Sequence, residues 1–210
     1  GNSSQPVAIS GRGGAIRSYS LADIAIIDTI IVDNHVDAPN PPVAGRVYRG
    51  GAFEGTAKSL LIEGSEIAEN SASDVTVSDA TRGGGLHLYN TSVDRQGPGD
   101  AMAVRIINST ISGNLSNASG GAIQASGNLA LGLINSTVAD NVAAPTRTGG
   151  IVMTTGPTYP ALGSTTSRPT LTLVSTIAAN NNGVGADVAS GGSIVGPFIV
   201  NAFNSLIENV

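Results

Sequence analysis

The sequence lacks cysteine and tryptophan, and it has few aromatic or charged residues. Without cysteine in 210 residues, disulfide bonds, thiolate metal sites and cysteine nucleophiles are excluded. Aromatic residues make up only 3%, so a buried core has to be built from Ile, Val, Leu and Ala. Charged residues make up 12%, about half of the usual share. Because 40% of the chain is hydrophobic and regularly spaced, we still expect a folded protein.

Basic residues and histidines are also scarce. The formal net charge is -5, the pI is near 4.8, and Lys58 is the only lysine. This balance excludes non-specific nucleic-acid binding. Histidine occurs only at His35 and His87, which is too few for a metal site, so we predict no metal or other cofactor. No apolar run approaches the length of a membrane span, so we expect no transmembrane segment.

Two short elements alternate six times along the chain. The first is a glycine pair followed by small or aliphatic residues, and the second is an aliphatic segment that ends in Asn. The glycine pairs begin near Gly13, Gly50, Gly83, Gly120, Gly149 and Gly191. The closing elements end at Asn34, Asn70, Asn114, Asn141, Asn180 and Asn209. The separations from Gly to Asn are 21, 20, 31, 21, 31 and 18 residues, which indicates repeated coils with extra residues in the third and fifth.

Within each repeat the pattern is typical of short strands. Leu129, Leu131 and Leu133 alternate with less bulky residues, and no segment shows the apolar stripe of a long helix. A helical solenoid is excluded by this composition, and a β-sandwich is disfavoured by the repeat. The sequence therefore predicts one all-β domain over residues 1–210, a right-handed, single-stranded parallel β-helix of about six coils.

The repeated Gly and Asn residues have structural roles in this prediction. Each glycine pair is expected at a sharp corner or a close backbone approach. Each closing Asn is expected to tolerate a left-handed turn and to form hydrogen bonds with the Asn of the next coil. Residues 7–10 resemble the tail of an earlier coil, and the chain finishes on a closing element without a polar cap. We expect a fragment of a longer chain whose ends self-associate.

Two segments resemble known β-helix repeats. The glycine pair with an aliphatic-x-x-Asn element resembles the GGAI and FxxN repeats of polymorphic outer-membrane proteins, with Ile, Val or Leu in place of the Phe. The segment 107–114, INSTISGN, is similar to repeats of bacterial secreted, pectate-lyase-like β-helix proteins. The resemblance covers residues 11–210 and implies a parallel β-helix. Because such proteins include adhesins, surface rods and polysaccharide enzymes, it implies several possible activities.

Titratable residues cluster around the insertion in the third repeat. The group comprises His87, Tyr89, Asp94, Arg95, Asp100 and Arg105. Long loops often carry function, and lyases or hydrolases acting on polysaccharides need acidic and basic groups on one face. The alternative is a solvated loop that carries a few charges.

Charged residues also recur at two fixed positions of the repeat. Arg12, Arg49 and Arg82 directly precede glycine pairs and should stack as an arginine column. An acidic column is expected from Asp33, Glu69, Asp140 and Glu208, which precede the closing Asn. If the columns share a corner, they form weak surface ion pairs. If they lie apart, the arginine column could bind an acidic polysaccharide.

These patterns favour an extracellular or cell-surface protein. The leading hypothesis is a structural or adhesin-like rod that assembles end to end, with surface glycans as partners. The alternatives are a polysaccharide lyase or hydrolase, or a β-helix that binds carbohydrate without turnover. The candidate binding residues are Arg12, Arg49, Arg82, Asp94 and Arg95, and no catalytic residue is assigned.

Overall fold

The fold is an all-β parallel β-helix, as predicted. The computed structural model describes residues 3–4, 11–19, 22–37, 48–73, 81–90, 101–154, 169–183, 187–190 and 199–208. All strand pairs in this part of the chain are parallel. These residues include no helix, and therefore none that is long and apolar enough to cross a membrane.

Successive coils add strands to five sheets, which we number I to V in the order in which a coil passes through them. Sheet I contains β2 (Gly11–Arg12), β7 (Tyr48–Arg49) and β12 (Thr81–Arg82). Sheet II contains β3 (Ile16–Tyr19), β8 (Phe53–Thr56), β13 (Leu86–Asn90), β17 (Ile123–Gly127), β20 (Ile151–Thr154) and β23 (Val188–Ser190). Sheet III contains β4 (Asp23–Ile27), β9 (Ser59–Glu63), β14 (Met102–Ile107), β18 (Leu129–Ile134), β21 (Thr170–Val174) and β24 (Ile199–Phe203).

The two remaining sheets complete each coil. Sheet IV contains β5 (Ile30–Val32), β10 (Glu66–Ala68), β15 (Thr110–Ser112), β19 (Thr137–Ala139), β22 (Ile177–Ala179) and β25 (Leu206–Ile207). Sheet V contains β1 (Ser3–Ser4), β6 (His35–Asp37), β11 (Ser71–Ser73) and β16 (Leu115–Ser116). Since β1 pairs with β6, one strand precedes the first coil. Residues 7–10, which we predicted to belong to an earlier coil, lie outside the described residues.

Aliphatic side chains at alternate strand positions fill the interior. In sheet III, Leu60, Val104, Leu131 and Leu171 lie opposite one another in register and are essentially inaccessible to solvent. The intervening residues of each strand point outward, because successive side chains in a strand alternate between the two faces. The core is therefore a set of aliphatic columns parallel to the long axis.

The glycine pairs mark a corner where two stretches of backbone meet, as predicted. Gly50 adopts a φ of 64°, a left-handed conformation that favours glycine. A Cβ atom on the next residue, Gly51, would lie 2.3 Å from the carbonyl oxygen of Gly84 and 2.6 Å from the backbone nitrogen of Ser71. Ser71 belongs to sheet V of the same coil, so a side chain at Gly51 would push the sheet V strand away from the glycine corner.

The strand register differs from the predicted alignment of the glycine pairs in the last two coils. Ile151 pairs with Ile123, so Gly149 corresponds to Gly121, the second glycine of its pair, and not to Gly120. Val188 pairs with Ile151, which places Asp187 opposite Gly150. The predicted start of the sixth coil near Gly191 is therefore wrong, since Gly191 follows β23 along the chain.

The variable lengths of the coils arise at particular corners. Between sheets III and IV the inward residues are always five positions apart, as in Ile62 to Ile67 and Leu133 to Val138. In the third and fifth coils, by contrast, residues 91–101 and 155–169 separate the sheet II strand from the sheet III strand. The predicted extra residues thus fall between sheets II and III.

Candidate functional site

Buried asparagines form a ladder at the corner between sheets IV and V. The backbone N and the Nδ2 of Asn34 both donate to Oδ1 of Asn70, at 3.1 and 2.9 Å. The same pair of bonds joins Asn70 to Asn114 and Asn114 to Asn141, all at 2.9–3.0 Å. The Nδ2 atoms of Asn70 and Asn114 also donate to backbone carbonyls of their own and the preceding coil. The ladder therefore supplies partners for backbone groups that a sharp corner would otherwise leave unpaired.

In the fifth coil the ladder residue is Asn181, and the prediction of Asn180 is wrong. Asn141 donates to Oδ1 of Asn181 at 3.1 and 2.8 Å, because Ala178, and not Ile177, is the inward residue opposite Val138. Asn180 is exposed and has a φ of 56°. The ladder continues to the buried Asp187, whose Oδ1 accepts from the N and Nδ2 of Asn181 at 3.0 and 2.7 Å. Asn209 lies outside the described residues.

A second ladder, of hydroxyl groups, lies at the corner between sheets III and IV and was not predicted. Ser65 N donates to Ser109 Oγ at 3.1 Å, and Ser109 N donates to Ser136 Oγ at 3.3 Å. Each serine hydroxyl donates to the carbonyl two residues earlier. The residue before each ladder position has a positive φ, as Asn108 and Asn135 do. The recurring Asn-Ser-Thr sequences therefore serve this corner.

The strand register aligns the three residues of the predicted arginine column. Arg12, Arg49 and Arg82 lie opposite one another in sheet I. In the fourth coil Ser119 bridges to Arg82, so the column is three arginines high. The acidic column lies at a different corner, between sheets IV and V. Along the chain, a strand of sheet V lies between an acidic residue and the next residue of the arginine column, as β6 does between Asp33 and Arg49. Polysaccharide binding by the arginine column stays a prediction.

The acidic column is shorter than predicted. Asp33, Glu69 and Asp140 occupy the exposed left-handed position that precedes each ladder asparagine. Gly113 takes this position in the third coil, which interrupts the column. Glu208 does not belong to the column, because Ile207 pairs with Ala178 and places Glu208 one residue earlier in the repeat.

The described titratable residues near the third-coil insertion lie on two different sheets. His87 and Tyr89 lie on β13 in sheet II, whereas Arg105 lies on β14 in sheet III. Arg105 borders a shallow depression on the outer surface of sheet III, lined by Ala103, Ala130, Gly132, Thr170 and Thr172. Asp94, Arg95 and Asp100 lie outside the described residues.

A different polar cluster lies on the outward face of sheet II. The strand register places Arg17, Glu54, His87 and Gln124 in one row across β3, β8, β13 and β17. Their neighbours Phe53, Leu86 and Ile123 belong to the core, so this row points away from the interior. Glu54, His87 and Gln124 are nevertheless buried. A buried carboxylate needs partners, because an uncompensated buried charge is strongly destabilising.

Arg17 and Tyr19 provide these partners. Arg17 Nε lies 3.3 Å from Glu54 Oε2, and the Tyr19 hydroxyl donates to the same carboxylate at 3.1 Å. Arg17 Nη2 donates to Tyr19 Oη at 2.6 Å, which closes a three-membered hydrogen-bond network. His87 Nδ1 lies 3.9 Å from Glu54 Oε1. The carboxylate thus accepts hydrogen bonds from a guanidinium and a phenol, and an imidazole lies near it.

Two tyrosine rings border this cluster. The rings of Tyr19 and Tyr89 are 6.0 Å apart between centroids and inclined at 58°, and the ring of His87 lies 5.4 Å from that of Tyr89. The Arg17 guanidinium lies 4.5 Å above the Tyr19 ring, a cation–π geometry. Both tyrosines are partly exposed, and 47% of the Arg17 side-chain surface is accessible. We call Arg17, Tyr19, Glu54, His87 and Tyr89 the sheet II cluster.

The electrostatic environment of the cluster keeps Arg17 charged. Burial lowers the pKa of the Arg17 guanidinium, but the hydrogen bond and negative charge density of Tyr19 and the carboxylate of Glu54 raise it by more. Sequence analysis identifies only two of the five residues of the cluster. His87 and Tyr89 were candidates, whereas Arg17, Tyr19 and Glu54 come from two other coils and meet only through the strand register.

Among the described residues no group of three or more His, Cys, Asp or Glu could hold a metal ion. The sheet II cluster consists of one carboxylate, one guanidinium, one imidazole and two phenol rings. Comparison with protein-family models, with curated proteins and with solved structures finds no match to this chain. The parallel β-helix thus stands on the strand pairing of the chain itself.

Proposed function

We propose that this chain is an extracellular, adhesin-like β-helix rod that binds carbohydrate through the sheet II cluster. The observation that supports binding is the Arg17–Glu54 pair, bordered by the rings of Tyr19 and Tyr89 on the side of the rod. Carbohydrate sites combine a flat apolar contact with a few fixed hydrogen-bonding groups, and this cluster offers both.

Stability alone does not account for the cluster. A buried carboxylate such as Glu54 loses its hydration, so its pairing with a half-exposed guanidinium is often no more stabilising than apolar residues of similar volume. Further along the same row the chain does use apolar residues, Val152 and Ala189. The polar residues are therefore confined to the first four coils of the row, which supports a local binding role.

A glycan-binding assay tests this proposal. We would measure binding of the chain to immobilised polysaccharides and compare Tyr89→Ala with Phe203→Ala. Phe203 is an exposed aromatic on sheet III, 58% accessible, so its replacement controls for loss of a surface ring. We expect Tyr89→Ala to weaken binding by at least about tenfold, the typical effect of losing a binding-site aromatic. Equal effects of the two substitutions would refute the site.

Catalysis of polysaccharide cleavage is the second candidate function. The observation that favours it is the contact of Glu54 with His87 and Tyr19, since general acid–base catalysis needs such groups within reach of each other. Against hydrolysis, glycosidases generally use two carboxylates, and the described part of the outward sheet II face has only Glu54. Turnover of a polysaccharide, with or without calcium, that is lost in Glu54→Gln would replace the binding proposal by an enzymatic one.

End-to-end assembly is the structural part of the proposal. In the described part of the chain, the strands of the first and last coils pair on one side only within sheets II, III and IV. Core residues there are also less covered, since Ile16, Ile24, Val200 and Ile207 are only partly buried. Such strand edges and apolar side chains suit a second copy stacked head to tail. Light scattering and negative-stain microscopy over a concentration series test this, and a strict monomer at all concentrations would refute it.

A further inference from the structure

We infer that the sheet II cluster selects neutral sugar rings over uronic acids. This inference rests on the carbohydrate binding proposed above and adds the class of ligand. The physical basis is that Arg17, the only Lys or Arg of the cluster, already has a buried anionic partner.

The charges of the sheet II face are balanced. Among the described outward residues of sheet II, Arg17 is the only Lys or Arg and Glu54 is the only Asp or Glu. Their side chains are in direct contact at 3.3 Å. A ligand carboxylate would therefore meet no net positive charge, and long-range attraction would not favour it.

Binding of an acidic sugar would also place the ligand carboxylate in competition with Glu54 for Arg17. Its Nε is directed to Glu54 and its Nη2 to Tyr19, so two of its donors already have acceptors within the protein. Glu54 has no solvent-accessible surface. If a uronate attracted the guanidinium away, this carboxylate would remain buried with a weakened set of partners, which is energetically unfavourable.

A neutral sugar ring carries no charge that competes with Glu54 for Arg17. Sugar hydroxyls both donate and accept hydrogen bonds, so they can bond to the accessible part of Arg17 and to the tyrosine hydroxyls without replacing Glu54. The apolar face of the sugar can pack on the partly exposed rings of Tyr19 and Tyr89. The planes of these two rings are inclined at 58° to each other. The network of Arg17, Tyr19 and Glu54 then acts as a fixed hydrogen-bonding surface.

The test uses matched pairs of ligands. We would titrate the full chain, by calorimetry, with oligosaccharides of glucose, mannose and galactose, and with the corresponding glucuronate, mannuronate and galacturonate oligomers of equal length. Within each pair the sugars differ only in the oxidation of C6, so the comparison isolates the carboxylate. The wild-type comparison needs no variant and does not depend on the folding of a mutant.

A charge-changing variant tests the explanation. Glu54→Gln keeps the shape of the side chain and an oxygen acceptor for Tyr19, but it removes the anion that balances Arg17. We expect this variant to gain uronate binding by about tenfold or more, the effect of one charge-assisted hydrogen bond. The control is Glu66→Gln, which changes the net charge equally at an exposed position on sheet IV and should gain nothing.

Each outcome is decisive. Preference of the wild type for the neutral member, with uronate binding gained only in Glu54→Gln, supports the inference. Equal or tighter wild-type binding of a uronate would overturn the ligand class and leave carbohydrate binding intact. A folded Glu54→Gln variant without uronate binding would overturn the charge argument. If no oligosaccharide binds, the proposed function itself fails.

Discussion

The adjacent residues Asn180 and Asn181 allow a sharp test of the asparagine ladder. They have the same side chain and neighbouring sequence positions, yet one is exposed in a left-handed turn and the other is buried in the ladder. We expect Asn181→Ala to destabilise the protein much more than Asn180→Ala. Asn180→Gly should be nearly neutral, because glycine adopts the φ of 56° without strain.

The magnitudes follow from the hydrogen bonds. The Asn181 amide takes part in five, two accepted from Asn141 and three donated by its Nδ2 to Val138, Ala179 and Asp187. At about 1 kcal/mol net for each, and with partners left unpaired in the interior, the loss is about 3–5 kcal/mol. Within the described residues, the side chain of Asn180 forms a surface hydrogen bond with Asp140. Its replacement by Ala therefore costs about 1–2 kcal/mol, mostly for the left-handed backbone.

Urea denaturation combined with amide hydrogen exchange measures both effects. Since a solenoid can open locally at one end, exchange of the amides in β19 and β22 reports the ladder directly, and the urea midpoint reports global stability. Faster exchange in these strands is expected for Asn181→Ala and not for Asn180→Gly. Equal destabilisation by Asn180→Ala and Asn181→Ala, or a larger effect of the former, would refute the assignment of the ladder.

Three further pairs of substitutions test other elements by urea denaturation. Asp187→Ala should cost about 2–3 kcal/mol and Asp187→Asn less than half of that, because the amide keeps an oxygen acceptor for the last ladder asparagine; equal losses would contradict a terminal ladder role. Ser136→Ala should cost about 1–2 kcal/mol and the partly exposed Ser126→Ala less than about 0.5 kcal/mol, and the reverse order would argue against the hydroxyl ladder. Gly51→Ala should prevent folding or cost more than about 3 kcal/mol, while Gly132→Ala, whose nearest new contact is 3.8 Å away, should be tolerated; a stable Gly51→Ala protein would disprove the backbone contact at that corner.

The fold was predictable because its determinants are local and repeated. The coils differ in length, but within each described coil the ladder asparagine follows the inward aliphatic residue of sheet IV by three positions, as in Ile67 to Asn70 and Val138 to Asn141. This short, repeated spacing identifies both residues from the sequence. The prediction failed by one residue where a small inward side chain, Ala178, carries less signal than its exposed neighbour Ile177. It failed for the start of the sixth coil because Asp187, and not a glycine pair, directly precedes β23.

The sheet II cluster was less predictable for a different reason. Arg17, Glu54 and His87 are separated by 37 and 33 residues, and they meet only because β3, β8 and β13 pair in one register. The two intervals are unequal, so a repeat of constant length does not align these residues. The hydroxyl ladder was missed although Ser109 and Ser136 recur visibly, because its hydrogen bonds use serine as a backbone partner, a role that composition does not distinguish from a surface position.

The unequal distribution of coil lengths has a consequence for how such a chain can change. If one residue were inserted between the start of a sheet III strand and the ladder asparagine of the same coil, the side chains that follow it in that coil would point to the opposite face. Between sheets II and III the chain already accommodates connections that range from Asn128 alone to residues 155–169. New peptide segments can therefore be added at that corner while both ladders keep their positions. The corner lies directly beside the sheet II face, so surface variation and the architecture of the rod are free to evolve separately.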